Sequence, residues 1–140
     1  MSVYIGGTYD ILHVGHLNMF RWAKSHFGGP LTIGLNTDEF NERYKKRRPI
    51  IPFEERADIL KELRCVDFVI PNYGDEDSKP AILESGAKVI VCGPDWSRER
   101  QMAQMQFNDA WLKEHGIEFY IYPYPDWVHG SDIKKRIREQ

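Results

Sequence analysis

Residues 3–16 read VYIGGTYDILHVGH, an apolar stretch that runs through a glycine-rich turn into two histidines. The apolar part predicts a β-strand, Val3–Gly6, and the residues after the turn predict a helix from His16 to His26. His13 and His16 are three residues apart, so we expect both on one side of the helix start. Backbone N–H groups and imidazoles gathered at one point favour an anion such as a nucleotide phosphate.

The same strand–helix alternation continues along the chain. Further strands are predicted at Leu31–Asn36, Asp67–Pro71, Lys88–Cys92 and Glu118–Tyr122, and further helices at Asp38–Tyr44, Phe53–Arg64, Lys79–Ser85 and Arg98–His115, with a last one capped by Ser131 and running through Arg138. Strands separated by helices predict an α/β fold, a parallel sheet covered on both faces. The ligand of such a sheet binds beyond the carboxyl ends of its strands.

Composition narrows the function classes. A chain of 140 residues with 41% hydrophobic and 29% charged residues is typical of one globular domain, and we expect residues 1–140 to form it. The net charge of -2 argues against nucleic-acid or membrane partners. No apolar run approaches a membrane span or a signal peptide, so we expect a cytoplasmic protein. Cys65 and Cys92 lie among apolar neighbours and are expected as two buried thiols.

The two histidines allow other interpretations. They could be incidental residues of a surface turn, or two zinc ligands, although only Asp10 is near enough to be a third ligand. Phosphate binding is favoured because Gly6, Gly7 and Gly15 let the backbone approach a ligand closely.

Four segments together resemble one protein family. They are residues 6–16, the NTDEF run at 36–40, the RCVDFVI run at 64–70 and GPDW at 93–96. The order and spacing of these segments resemble the cytidylyltransferase-like nucleotidyltransferases, in particular the small single-domain members that activate glycerol 3-phosphate. The resemblance covers Val3 to about Arg138 and implies a Rossmann-like, doubly wound parallel sheet of five strands in a single domain.

The resemblance also implies roles for the residues that match. His13, His16 and Lys46 would be catalytic, with Lys45 as the alternative to Lys46. The nucleotide would contact the two histidines and Gly7, Thr8, Tyr9, Asp10, Gly93, Asp95, Gly130 and Ser131. Lys45, Lys46, Arg56 and Arg64 would bind the acceptor or its phosphate, although Arg64 could instead tie its helix to the next strand. Mg²⁺ is expected on the triphosphate, near Asp10 or Asp95, and the protein is expected to be a homodimer.

One segment departs from the family pattern. Residues 128–131 read VHGS, whereas relatives place an Arg and then Ile-Ser-Thr-Thr before the final helix; here Tyr124 occupies the position of that Arg. Gly130 and Ser131 still provide amides and a hydroxyl for an anion at the helix start. This departure makes the identity of the substrate the least determined property.

The expected reaction is transfer of a nucleotidyl group, with CTP favoured, to a phosphorylated small molecule such as glycerol 3-phosphate, with release of pyrophosphate. One alternative is an adenylyltransferase of the same fold that uses ATP with a sugar phosphate or FMN, and another is a nucleotide-binding module without catalysis. The chain has neither a P-loop nor the Gly-x-Gly-x-x-Gly turn of dinucleotide-binding enzymes, which disfavours a kinase and an oxidoreductase.

Overall fold

Five parallel strands form one sheet in the order β3-β2-β1-β4-β5. The computed structural model describes residues 1–124 and 129–140. The strands are β1 (Val3–Gly7), β2 (Leu31–Leu35), β3 (Phe68–Pro71), β4 (Val89–Cys92) and β5 (Glu118–Ile121). The predicted α/β class and the five-stranded parallel sheet are confirmed, and each strand boundary lies within one residue of its prediction.

The helices that connect and cover the strands are α1 (Val14–Phe27), α2 (Asp38–Lys45), α3 (Phe53–Lys61), α4 (Lys79–Ser85), α5 (Arg98–Met105), α6 (Asp109–His115) and α7 (Gly130–Arg138). None of the described helices is long and apolar enough to cross a lipid bilayer.

Side-chain alternation along β1 divides the core between the two faces of the sheet. Val3 and Ile5 pack in a cluster with Phe20 of α1 and Leu60 of α3. Tyr4 points to the other face, where it packs with residues of α4, α5 and α6. All three β1 side chains are at most 1% exposed, so the sheet is covered on both faces, as expected of a parallel sheet.

Two helix predictions are wrong. The single helix expected over Arg98–His115 is two helices, because Gln106 adopts the left-handed conformation (φ 66°) and Asn108 caps a new helix by accepting from the Trp111 N–H. The last helix begins at Gly130 with His129 at its N-cap position, so Ser131 lies in the first turn and is not the cap.

Both cysteines are free and partly buried. Burial raises the pKa of the Cys92 thiol to about 12, so it remains protonated at neutral pH and has no nucleophilic character. The prediction of two thiols without a disulfide is confirmed, although both residues are partly and not fully buried.

The order of the strands sets the position of the site. The chain moves from β1 outward to β2 and β3, then returns to the other side of β1 to add β4 and β5. Ligands of open α/β sheets bind in the crevice where this reversal occurs, outside the carboxyl ends of the central strands. Here that crevice lies beyond β1 and β4.

Candidate active site

A cavity of about 520 Å³ opens at the carboxyl ends of β1 and β4. This volume lies within the usual range for a small-molecule site. Eight residues predicted from the sequence line it: Gly7, Thr8, Tyr9, Asp10, His16, Lys45, Gly93 and Gly130. The residues that follow β1 and β4 therefore meet the start of α7 at one place, although α7 is far away in the sequence.

His13 and His16 form the N-terminal cap of α1. The Gly15 N–H donates to His13 Nδ1 (3.1 Å), and the His13 N–H donates to His16 Nδ1 (3.3 Å). The two rings stack, with centroids 3.7 Å apart. Since each Nδ1 accepts a hydrogen bond, each neutral imidazole carries its proton on Nε2. The pair therefore presents two ring N–H donors of defined tautomer at the helix N-terminus.

Burial keeps His16 uncharged. Desolvation, followed by the repulsion of His13, lowers the pKa of His16 to about 3. The pKa of His13 is also lowered, first by desolvation, while Asp95 opposes the shift and His129 adds to it. At neutral pH both imidazoles are therefore uncharged, and their ring N–H groups act as neutral hydrogen-bond donors.

The ring of Tyr9 packs against the ring of His16. Its backbone is left-handed (φ 51°), which turns the ring inward, edge-on to His16 with centroids 4.9 Å apart. The Tyr9 hydroxyl donates to the Gly6 carbonyl (3.2 Å). A Cβ at residue 7 would lie 2.7 Å from the Tyr9 ring, so only glycine fits there. The glycine-rich turn is thus needed to hold an aromatic ring as well as to expose backbone.

The start of α7 faces the histidine pair. A Cβ built on Gly130 would lie 4.0 Å from His13 Nε2. Beside it, His129 Nδ1 lies 3.1 Å from an Asp95 carboxylate oxygen. The N-termini of α1 and α7 therefore converge on the same region, and their combined dipoles favour an anion there. Asp95, His13 and Ser131 stand at the edge of the cavity and do not line it.

Asp10 joins three distant segments. Its carboxylate accepts from the N–H groups of Ile50 (2.9 Å) and Ile51 (2.8 Å) and from Lys134 Nζ (3.2 Å). Burial alone would raise the pKa of Asp10, but these hydrogen bonds and the charge of Lys134 outweigh it, and the pKa is lowered. Asp10 therefore holds α7 and the loop between α2 and α3 (residues 46–52, here called the basic loop) around the cavity, and both of its oxygens are already engaged.

The described side chains do not form a metal site of their own. Across residues 1–124 and 129–140, no three His, Cys, Asp or Glu side chains are grouped to hold a metal ion. Asp10 is occupied by its three donors, and Asp95 pairs with His129. The expectation of Mg²⁺ on the triphosphate, near Asp10 or Asp95, stays a prediction.

The end of α2 contributes Lys45 rather than Lys46. Lys45, the last residue of α2, lines the cavity near Lys134 and Arg47. Lys46 follows α2 in a left-handed conformation (φ 64°) and does not line the cavity. Desolvation, followed by the repulsion of Lys134 and Arg47, lowers the pKa of Lys45. Of the two alternatives left open by the sequence, the structure places Lys45 at the site.

Arg56 belongs to the frame of the site and not to a ligand contact. Its side chain is fully buried and donates to the carbonyls of Ile51 (2.8 Å), Thr8 (2.7 Å) and Asn36 (3.0 Å). A fourth hydrogen bond goes to the Asp38 carboxylate (2.6 Å). The predicted phosphate-binding role of Arg56 is therefore corrected: the guanidinium ties the first turn to the ends of β2 and α2.

Arg64 also lies away from the cavity. It is exposed and lies before β3, at the amino ends of the strands, whereas the cavity is at their carboxyl ends. Arg64 therefore does not line the cavity, and its two predicted roles, phosphate binding and a tie between the helix end and β3, both stay predictions.

We expect Arg56→Ala to lower the free energy of unfolding by about 3–5 kcal/mol, because Asp38 and three carbonyls lose their shared partner in the interior. Arg64→Ala, the matched exposed arginine, should change it by less than about 0.5 kcal/mol. Urea unfolding of both variants measures the difference. Equal effects of the two substitutions would contradict the framework role of Arg56.

The lowered pKa of His16 predicts an acid-sensitive fold. Its folded pKa of about 3 lies below the ordinary value of 6.5, so the unfolded chain binds the proton more readily. The free energy of unfolding is therefore highest above pH 6.5 and decreases as the pH falls toward 3. By pH 5 protonation of His16 in the unfolded chain should have lowered it by about 2 kcal/mol. Urea unfolding at pH 7 and pH 5 should show this loss in the wild type, and His16→Asn should show less of it. A variant with the same pH dependence as the wild type would refute the prediction.

Several site residues were not predicted. Lys134 lies one helical turn after Gly130, and this spacing is a signal that could have identified it. Thr8, by contrast, was predicted, but its partners were not: its hydroxyl donates to Asn41 Oδ1 (3.0 Å) and accepts from Asn36 Nδ2 (3.1 Å). No local pattern in the sequence indicates this network, because its members come from three separate segments.

Residues 125–128, part of the expected final motif, lie outside the described residues.

The chain matches one protein family over nearly its whole length. The family model described as cytidylyltransferase-like matches residues 4–137. The chain is 36% identical to the FAD synthase of Pyrococcus abyssi over 140 residues, covering 99% of this chain and 93% of that protein. It is 38% identical to the glycerol-3-phosphate cytidylyltransferase of Staphylococcus aureus over 107 residues, covering 76% of this chain and 80% of that protein.

Two further comparisons concern a longer protein and the fold. The chain is 42% identical over 138 residues to the bifunctional protein HldE of Geotalea uraniireducens, covering 97% of this chain but 26% of that protein. The crystal structure of the lipopolysaccharide core biosynthesis protein from Thermoplasma volcanium has the same fold, with a TM-score of 0.70 at 24% identity, covering 89% of this chain and 98% of that one. By its match over nearly the whole length, the chain belongs to the cytidylyltransferase-like family and is a nucleotidyltransferase.

Proposed function

We propose that the protein transfers the nucleotidyl group of CTP to glycerol 3-phosphate or a similar phosphorylated small molecule and releases pyrophosphate. The observation that carries this proposal is the stacked His13–His16 pair, with both Nε2 protons at the N-terminus of α1 and the start of α7 opposite. Such an arrangement of N–H donors suits a triphosphate, whose transfer needs positioning and charge stabilisation more than a protein nucleophile.

In this reaction an oxygen of the acceptor phosphate attacks the α-phosphorus of the triphosphate. The bond from the α-phosphorus to the bridging oxygen breaks, and pyrophosphate leaves with that electron pair. His16 donates to the α-phosphate as negative charge develops, and His13 donates to the neighbouring phosphate. Gly130 and Ser131 at the start of α7 bind the outer phosphates. Lys45 and Lys134 lie across the cavity, where they neutralise charge on the phosphates.

Mg²⁺ belongs to this proposal as an ion bound by the phosphate oxygens of the nucleotide, since the described residues do not provide a site for it. A homodimer remains part of the proposal on the basis of the resemblance, and a cytoplasmic location remains part of it on the basis of the sequence composition.

A second candidate keeps the mechanism and changes the substrates. The similarity to an archaeal FAD synthase extends over 99% of this chain, and it favours ATP as the nucleotide with FMN or a sugar phosphate as the acceptor. The third alternative, a nucleotide-binding module without catalysis, would bind the nucleotide and release no pyrophosphate.

Pyrophosphate release tests these candidates. The protein is incubated with Mg²⁺, with either CTP or ATP, and with glycerol 3-phosphate, a sugar phosphate or FMN, and the His16→Ala variant serves as the blank. Release with CTP and glycerol 3-phosphate supports the proposal. Release only with ATP moves the function to adenylyl transfer. Tight nucleotide binding without release in any combination contradicts an active transferase and supports the binding module.

A further inference from the structure

A continuous set of hydrogen bonds, here called the asparagine network, runs along the carboxyl ends of three neighbouring strands. It begins at Asn72, directly after β3, passes to Asn36, directly after β2, and reaches Thr8, directly after β1. From Thr8 it continues to Asn41 of α2, whose amide donates to the Arg47 carbonyl in the basic loop. The network therefore connects the turn before the histidine pair to the segment that brings cations to the cavity.

The direction of the hydrogen bonds follows from a backbone carbonyl at the start of the network. Asn72 Nδ2 donates to the Asp75 carbonyl (3.0 Å) and to Asn36 Oδ1 (3.0 Å). Asn36 Nδ2 then donates to the Thr8 hydroxyl (3.1 Å), which donates in turn to Asn41 Oδ1 (3.0 Å). Because a hydroxyl has a single proton, the Thr8 side chain does not donate to a phosphate while it holds Asn41.

Asn41 is the last residue of α2 that the protein interior holds. It is 4% exposed, whereas every residue from 42 to 48 is exposed. A buried amide costs stability unless its hydrogen bonds are made, and asparagine is a weak helix former. An apolar side chain would fill this position without that requirement, so the amide points to a role that burial alone does not explain.

The position of Asn41 on α2 indicates that role. Lys45 lies four residues later, one helical turn away and on the same face, and both residues line the cavity. Hydrogen bonds are directional, so the bond from Thr8 fixes how α2 is placed against the turn after β1. Lys45 is the last residue of that helix, and this bond therefore determines where its ammonium group enters the cavity.

The charges around Lys45 make such a restraint necessary. Lys45 lies near Lys134 and Arg47, and their repulsion follows desolvation among the causes that lower its pKa. This repulsion favours a displacement of the end of α2 toward solvent. Asn41 opposes that displacement on both sides of Lys45, since it is held by Thr8 before it and holds the Arg47 carbonyl (3.4 Å) after it.

We propose that Asn41 is a positioning residue, which holds Lys45 at the phosphates through its hydrogen bond with Thr8. This inference rests on the proposed phosphate-binding role of Lys45 and deepens it, because Asn41 contributes to phosphate binding through Lys45 rather than by a contact of its own.

Inorganic tripolyphosphate tests the positioning without turnover, because it presents linked phosphates without a base, a sugar or a group to transfer. Its affinity is measured by calorimetry for the wild type, Asn41→Ala, Lys45→Ala and the double variant. Each single substitution should weaken binding about tenfold, the usual cost of losing one hydrogen bond to a charged group. In the Lys45→Ala background, Asn41→Ala should cost less than about twofold, because its effect passes through a lysine that is no longer there.

Asn108→Ala is the matched control. Asn108 caps α6 by accepting from the Trp111 N–H (2.9 Å), so its substitution also removes a structural asparagine, but away from the cavity. We expect its affinity for tripolyphosphate to stay within about twofold of the wild type. Thr8→Val removes the same hydrogen bond as Asn41→Ala from the other side with little change of shape, and the effects of the two substitutions should not add.

Three results would overturn the positioning role: an Asn41→Ala variant that keeps its affinity, a loss that is equally large with and without Lys45, or a wild type that does not bind tripolyphosphate. These results are separable from failure of the proposed function. If the two losses are coupled but no nucleotide yields pyrophosphate, Asn41 positions Lys45 and the transfer is refuted. If pyrophosphate is released and the losses are independent, the transfer stands and the positioning role does not.

Discussion

His16→Ala should lower kcat by about 10²–10⁴-fold, because it removes a preorganised donor from the group on which charge develops during transfer. The effect should fall on kcat more than on the KM for the nucleotide, since the remaining donors of α1 and α7 still bind the ground state. His16 is buried against Tyr9 and neutral at pH 7, so the substitution removes an oriented N–H and no net charge. Steady-state pyrophosphate release measures the effect.

His26→Ala is the matched control for this experiment. His26 lies on the same helix, near its C-terminal end, where it stacks on Trp22 at 5.1 Å and is exposed. We expect this variant to retain full activity. A His16→Ala variant within threefold of the wild type would remove His16 from the mechanism.

Lys45→Ala should reduce kcat/KM about 10²-fold or more, whereas Lys46→Ala should change it less than threefold. The two lysines are adjacent in sequence, but only Lys45 lines the cavity. In the ligand-free protein Lys45 lies near Lys134 and Arg47, and the lowered pKa of Lys45 reflects desolvation followed by that repulsion. A bound triphosphate relieves the repulsion, so the cationic cluster costs stability without the ligand and contributes affinity with it.

The same pair of variants distinguishes this assignment from its rival. The difference in kcat/KM between Lys45→Ala and the wild type should be smaller at high salt than at low salt, because screening weakens the interaction of a lysine at an open cavity. If Lys46→Ala is the more damaged variant, the loop is arranged differently when the nucleotide is bound, and the assignment of Lys45 is refuted.

Two of the residues around the cavity are structural supports for it. Arg56 and Asp10 each hold several segments together through hydrogen bonds to backbone, so substitutions there disturb the geometry of the histidine pair indirectly. An activity loss at either residue is therefore evidence of catalysis only if the folded fraction of the variant is measured alongside it. His16 and Lys45 make cleaner probes.

The sequence by itself determined the features that depend on near neighbours. Strand β1, the turn after it and the start of α1 are adjacent in sequence, and their pattern predicted that His13 and His16 lie at a helix start. The alternation of strands and helices along the chain predicted the parallel α/β fold. Helix boundaries were less accurate where a single residue decides them, as at Gln106, whose left-handed backbone ends α5 although glutamine is a common helix former.

Only the tertiary structure decided which side chains line the cavity and which hold the protein together. Asp10 meets Ile50 across 40 positions and Lys134 across 124, and no local pattern encodes such contacts. The choice of Lys45 over Lys46 depends on where α2 ends, because Lys45 is its last residue and lines the cavity, whereas Lys46 follows in the left-handed conformation. A side chain's chemistry is encoded locally, but its partners are set by the packing of segments distant in sequence.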